Sequence, residues 1–300
     1  MSHVANPMPS SSNVSPNRWH IEREGASRLP SGSARQTIVV LAALAAEVAR
    51  LGDLLGGLTM RAVDIWSEHH GSLSTTDIVV IQSGVGMTAA AAAAEHAISA
   101  HKPRCVINFG SGGSHVRDLL PGDIVIANRV IACNTLQILA TGEELFIDRQ
   151  FRVQGQTIDQ GGSVIECDPK LVILAQAASA NWAPVRWPNR RPTGHLFARE
   201  PSIRTGPVIS ADMWVQSPDR IDALHRRHHS LAADMESAAS GQVAFLHRTP
   251  FLAIKDISNN ELYVNSDIRL GEIAAPLDEV GKRSASLVSR LLRTLAAQEP

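Results

Sequence analysis

From Gln36 onward, short β-branched apolar runs alternate with stretches whose apolar positions recur at helical spacing. Thr37–Leu41 predicts a buried strand, and Ala45–Leu55 a helix stopped by Gly56 and Gly57. Leu58–Trp66 and Asp77–Gln82 predict further strands. A glycine turn, Gly84-Val85-Gly86, then opens an alanine-rich helix over Met87–Ala100. Cys105–Phe109 is a compact apolar strand leading straight into Gly110-Ser111-Gly112-Gly113, read as a tight turn. Asp123–Ala127 and Val130–Cys133 continue the strand pattern. Beyond Pro169–Ala180, which is helical in character, Asn181–Pro201 is a loop crowded with Trp, Pro and Arg. A strand at Pro207–Ser210 follows, then helices near Ile221–His228 and Met235–Leu246. A buried strand at Phe251–Ile254 and an amphipathic closing helix at Leu277–Leu295 complete the pattern. Strands alternating with helices argue for α/β layers around one sheet, and there is no internal repeat.

Composition narrows the reading. The first 35 residues are rich in Ser, Pro and Asn and have no apolar core of a signal peptide, so they read as a disordered tail before one domain over 36–300. No apolar run is long enough to span a bilayer. The formal net charge of -1, without a basic run, gives no reason to expect nucleic acid or an anionic membrane as partner. Three scattered cysteines, with no CxxC pair, argue against a disulfide framework or a zinc site and fit a reducing cytoplasm.

Open α/β sheets bind ligands beyond the carboxyl ends of their strands, so polar residues just after strands are the candidates. Glu47 follows the first strand, although a carboxylate there also suits a helix N-terminus. Ser111 and Gly112 follow the Cys105–Phe109 strand, where glycines leave backbone N–H groups available to an anion or a polarised water, or simply turn a corner. Gly84-Val85-Gly86 lacks the full dinucleotide fingerprint. Asp212 and Trp214 follow Pro207–Ser210, and Trp214 suits either a core or a stacking platform. Asp234-Met235-Glu236 opens a helix. Lys255, Asp256, Asn259 and Asn260 follow the last strand, where asparagines are also ordinary turn formers. His225, His228 and His229 stand at helical spacing, but Arg226 and Arg227 beside them mark a solvated face rather than a metal site.

In this order the segments resemble the purine and uridine phosphorylase superfamily, and within it the methylthioadenosine/adenosylhomocysteine nucleosidase branch. The resemblance rests on Ala42–Val48, Ser83–Gly86, Asn108–Gly113, Gly122–Val125, Ser210–Trp214, Asp234–Glu236 and Pro250–Asn259. The Asp-Met-Glu and Ile-Ser-Asn-Asn versions look most like a subgroup of bacterial nucleosidase-like and plant vegetative storage proteins. The resemblance implies a single-domain, three-layer α/β/α fold with a central mixed sheet, and hydrolysis of a purine nucleoside without metal or organic cofactor. It also implies a homo-oligomer, a dimer being favoured, with a neighbour completing the pocket near the 5′ substituent. Glu47 then matches the base that activates water, and Ser111 and Gly112 the ribose-side segment that holds water or phosphate. Met235 matches the residue under the sugar and Glu236 the carboxylate on its hydroxyls. Trp214 matches the base platform and Val215 the reader of the base edge.

Two departures from the family pattern matter. Asn108 stands where the phosphorylases carry a phosphate-binding arginine, which favours water over phosphate as acceptor. Asn259 stands where the nucleosidases carry an aspartate at purine N7; it can hydrogen-bond the base but cannot protonate it, and Asp256 is a candidate deputy. Lys255 replaces an arginine near the catalytic water. The alternatives are a phosphorylase using Arg190 or Lys255 for phosphate, and a catalytically weak nucleoside-binding or storage protein of the same fold.

Overall fold

The computed structural model describes residues 35–148, 151–153, 156–158, 162–180, 182–185, 199–263, 275 and 278–298. The expected N-terminal tail lies outside the described residues, as does most of the Asn181–Pro201 loop. From that loop Trp182 is described, nearly buried, with Nε1 donating to Ser286 Oγ at 3.2 Å. It is a core residue.

The sheet starts from β1 (Gln36–Ala42), which is followed by helix α1 (Ala45–Leu54). The strand expected at Leu58–Trp66 is β2 (Thr59–Val63), after which the chain reverses at Asp64, whose φ of 50° is left-handed, into an unforeseen strand, β3 (Trp66–Leu73). An aspartate tolerates that conformation better than most side chains. Next come β4 (Thr76–Gln82), α2 (Met87–His101) and β5 (Cys105–Ser114). β5 corrects the expected glycine turn, because Gly110–Gly113 stay in the strand. The glycines leave no side chains to pack, which hides the strand from a reading based on apolar runs.

The two segments at Asp123–Ala127 and Val130–Cys133 form one strand, β6 (Ile124–Ala132). Two small hairpins follow: β7 (Leu136–Ile138) with β8 (Glu144–Phe146), and β9 (Phe151–Val153) with β10 (Gln156–Ile158). Then come β11 (Val164–Glu166), α3 (Pro169–Ala180), β12 (Ile203–Ser210) and α4 (Pro218–His228). Pro207 sits inside β12 at a register shift between Gly206 and Val208, where its missing N–H is tolerated.

The helix expected from Met235 begins later, as α5 (Ser237–Leu246), because Ala232–Asp234 is a short strand, β13. The last strand, β14 (Phe251–Asn259), runs past the predicted end at Ile254, since Lys255 and Asp256 are buried despite their charge. The closing helix, α6, spans Lys282–Ala297; Leu277 lies outside the described residues.

The ten-stranded sheet is mixed, running β11-β6-β12-β13-β5-β1-β4-β3-β2. β14 pairs parallel to β5 and antiparallel to β6, so β5, β14, β6, β12 and β13 close into a ring of pairings. Helices α1, α3 and α6 pack together on one face, and α2 with α5 on the other. This is the expected three-layer α/β/α architecture. The central strands are buried on both faces, which is why they read as continuous apolar runs.

Asp256 ties α6 to the sheet. Its Oδ1 accepts from Gly281 N at 3.2 Å, and its Oδ2 from Arg283 N at 3.2 Å and Ser284 N at 3.4 Å. These are first-turn N–H groups that an α-helix cannot satisfy internally. Replacing Asp256 by Ala should cost about 1–3 kcal/mol. A lower urea midpoint with an unchanged m-value would register it.

Candidate active site

A cavity of about 260 Å³ opens at the carboxyl ends of β1, β12, β13 and β14. Glu47, Ser111, Gly112, Trp214, Val215, Met235, Glu236, Lys255 and Asn259 all line it. Segments far apart in sequence therefore converge on one site.

Glu47 occupies the first turn of α1 and is buried. Its Oε2 accepts from the Leu44 N–H at 3.1 Å, so the helix-capping reading of this residue also holds. Burial raises its pKa, the Lys255 charge and backbone donors from Leu44 and Ser111 opposing the shift. Its carboxylate fills space that side chains would otherwise take. A β-carbon at Gly110 would lie 2.7 Å from Oε1, and one at Gly281 would lie 2.9 Å from Cγ. Both glycines have positive φ, 150° and 80°. Backbone from β5 and from the start of α6 thus closes on this one acid.

Lys255, fully buried on β14, forms an ion pair of 2.8 Å with Asp234 at the end of β13. Burial opposes the charge on each, yet the pair and its donors prevail. Lys255 is raised by Asp234 and Glu236, and Asp234 is lowered by Lys255, Ser210 and Ser237. Asp234 accepts from the hydroxyls of Ser210 and Ser237 and from the Ser237 N–H at 3.1 Å. It is a fixed anion, not a free one.

Glu236 differs. Its Oε1 accepts from Gly86 N at 3.0 Å and its Oε2 from Met235 N at 3.2 Å, with burial raising its pKa. Gly86 and Met87 form the N-terminus of α2, and Met87 N donates to Asp212 Oδ1 at 2.7 Å. The positive end of that helix therefore meets two carboxylates. The glycine turn at Gly84–Gly86 holds protein carboxylates.

At the cavity mouth Trp214 is 69% exposed, so it is no core residue. Its Nε1 donates to Glu261 Oε1 at 2.9 Å, and Asn259 Nδ2 donates to the same oxygen at 2.9 Å. Ser258 Oγ donates to Asn259 Oδ1 at 2.5 Å. Glu261 follows β14 in a short 3-10 turn and is itself buried; among the described residues its Oε2 has no hydrogen-bond partner, and burial raises its pKa. Sequence reasoning stopped at Asn260 and missed this residue. A carboxylate just past a polar strand end was the available signal.

Other candidates lie elsewhere. Asp256 does not line the cavity; it is committed to α6, with its pKa pushed up to about 6 by burial. It cannot deputise for Asn259. Asn108 does not line the cavity either, and its Oδ1 accepts from Ser237 Oγ at 3.1 Å inside the core. Asn260 serves structure, its Nδ2 donating to the carbonyls of Leu119 and Val116. His225, His228 and His229 diverge: His225 Nδ1 meets the Ser230 carbonyl at 2.8 Å, His228 packs edge-on against Phe146, and His229 is exposed. His115, unforeseen, lines the cavity as a neutral imidazole, its pKa pushed down to about 3 by burial. Arg190 lies outside the described residues.

An indole at the mouth and hydrogen-bonded carboxylates along the wall, at strand ends of a mixed α/β sheet, define a small-ligand site. The chain belongs to the phosphorylase superfamily, whose family model matches residues 37–293. Among its relatives is the 5'-methylthioadenosine/S-adenosylhomocysteine nucleosidase of Aeromonas salmonicida, 26% identical over 260 residues, covering 85% of this chain and 98% of that one. The nucleosidase of the same name from Shewanella baltica is 30% identical over 259 residues, covering 86% of this chain and 97% of that one. Among solved structures, a futalosine hydrolase of Helicobacter pylori superposes with a TM-score of 0.68 at 20% identity, covering 87% of this chain and 98% of that one. A Neisseria meningitidis nucleosidase in complex with methylthio-immucillin-A gives 0.65 at 24% identity, covering 86% and 99%.

Removing the cation should destabilise this wall. Lys255→Met leaves Asp234 buried and unpaired, a loss of about 3–5 kcal/mol. Adding Asp234→Asn should restore part of it, so a double-mutant cycle in urea will show strong non-additivity.

Proposed function

We propose that this protein hydrolyses the N-glycosidic bond of a purine nucleoside, releasing free base and free sugar. The observation that carries the reading is Glu47, a buried carboxyl of raised pKa on the wall of the cavity, with Glu236 held apart from it on a helix N-terminus. Water attacks C1′ and gives its proton to Glu47, while the C1′–N9 electron pair leaves with the base. An oxocarbenium-like sugar benefits from the surrounding carboxylates. Glu236 accepts from the ribose hydroxyls, with Met235 beneath the ring and Ser111 and Gly112 beside it. Trp214 stacks on the purine, and Val215 and Asn259 meet its edge.

Glu261 joins Asn259 at that edge. It positions the amide and the indole through one oxygen, and burial favours its neutral form, a proton-bearing group beside a leaving base. This addresses the departure at Asn259 that otherwise favours a weak binding or storage protein.

Water is preferred to phosphate as acceptor on grounds of charge. Among the described lining residues Lys255 is the one ammonium or guanidinium, and it is ion-paired; Glu47, Asp234, Glu236 and Glu261 share the wall. That wall would repel a phosphate dianion. The side chain of Asn108, buried away from the cavity, adds less to this argument than its sequence position suggests.

The domain is taken as 36–300 and the working unit as a homodimer. A cytoplasmic setting is supported by the buried free thiols of Cys105, Cys133 and Cys167. Among the described residues, no helix is long and apolar enough to cross a membrane.

The decisive assay incubates the protein with adenosine, methylthioadenosine, adenosylhomocysteine, inosine, guanosine and futalosine, with and without phosphate. Free base and sugar should form without phosphate; release only as a sugar 1-phosphate, or no release at all, would refute the reading. Glu47→Gln should lower kcat by on the order of 10²–10⁴-fold. The acid limb of kcat/KM should lie above the ordinary glutamate value of 4.5, activity falling as pH drops and Glu47 takes up its proton. Glu261→Gln keeps both of its acceptor contacts but loses the proton. A fall in kcat of on the order of 10²-fold with KM unchanged marks proton donation, whereas a rise in KM alone marks positioning.

A further inference from the structure

On the far end of the sheet from the closed ring of strands, β3 and α2 bring imidazoles onto one carboxylate. Glu68 is buried at the middle of this group. His96 Nε2 lies 2.6 Å from its Oε1, His101 Nε2 3.0 Å from the same oxygen, and His70 Nε2 2.8 Å from its Oε2. Glu68 and His70 are two apart on a strand and so share a face. His96 and His101 come from the last turns of α2. None of the four lines the cavity described above.

We propose that Glu68, His96 and His101, with His70 as fourth ligand or carboxylate partner, form a binding site for a divalent transition metal, zinc by its chemistry. Nitrogen donors with one anionic oxygen are a zinc-type set, and hard oxygen-seeking cations are a poor match for it. The donor atoms of Glu68, His96 and His101 already lie within 4.8 Å of one another. A tetrahedral ion with bonds of about 2.0–2.2 Å needs ligand atoms roughly 3.4 Å apart, so side-chain adjustments of under about 1 Å suffice.

The rings are also held. Trp66 stacks on His96 with centroids 5.6 Å apart, and His101 meets His96 edge-on at 6.2 Å and His70 at 6.0 Å. Glu68 meets all three imidazoles with its two carboxylate oxygens, Oε1 with His96 and His101 and Oε2 with His70. The imidazoles retain side-chain exposures of 17–22%, giving a hydrated ion a way in.

Besides those adjustments, binding exchanges the imidazole–Glu68 hydrogen bonds for bonds to the ion and requires tautomer exchange. Each coordinating imidazole presents its Nε2 lone pair to the ion and carries its proton on Nδ1, while any imidazolium present releases one proton to solvent. The bound ion would clamp the edge hairpin β2–β3 to α2, the helix whose other end holds Glu236.

The test uses the full chain, stripped with a chelator and titrated with zinc chloride, then in parallel with cobalt(II). One ion should bind per chain, cobalt should develop the visible absorption of a tetrahedral site, and zinc should raise Tm. His96→Ala and His101→Ala should each weaken zinc binding at least tenfold. The double variant His96→Asn/His101→Asn should lose the cobalt spectrum and the zinc-dependent rise in Tm. His229→Asn, on the exposed end of α4, should change neither. No uptake by the folded chain, or uptake undiminished in the double variant, would overturn the site. Neither outcome bears on nucleoside cleavage, which is measured separately.

Discussion

The ammonium of Lys255 lets carboxylates crowd one wall of a cavity. Without a cation at that depth, Asp234, Glu236 and Glu47 would repel one another and resist burial. The pairing with Asp234 also fixes geometry, because β14 carries Lys255, β13 ends at Asp234, and both strands border β5. The ring of strand pairings and the electrostatics of the site therefore share one contact. Asp234 is spent on this contact and on the start of α5; of the three, Glu47 and Glu236 are the carboxyls whose pKa values burial has raised.

Much of this was legible in the sequence because central strands buried on both faces must be apolar. The order of strands and helices, and the residues just beyond the strands, followed from that rule. Several of its failures share one physical cause: strands made of residues that do not look like strand residues. The Gly110–Gly113 stretch is extended but has little side chain to signal it. Lys255 and Asp256 interrupt the apolar pattern of β14 because each has a buried partner that no linear reading shows. Asp256 then looked like an acid for chemistry, when backbone N–H groups of α6 had already claimed it.

Glu261 is the converse case. Its place just past a polar strand end is a weak signal, since acids after strands are ordinary. Its interest comes from Trp214, in the loop after β12, and Asn259, at the end of β14, which donate to the same oxygen. The amide of Asn259 is thus one half of a two-residue arrangement in which the acidic group sits two positions further along the chain.

The packing of Gly110 and Gly281 around Glu47 has a consequence for timing. During synthesis the segment carrying Glu47 emerges early, and Gly281 only after the whole sheet has been made. Until that late glycine arrives, one side of Glu47 lacks the backbone that closes on it in the folded chain. The nascent chain can acquire its fold progressively, but the enclosure of this buried carboxyl is completed near the last step.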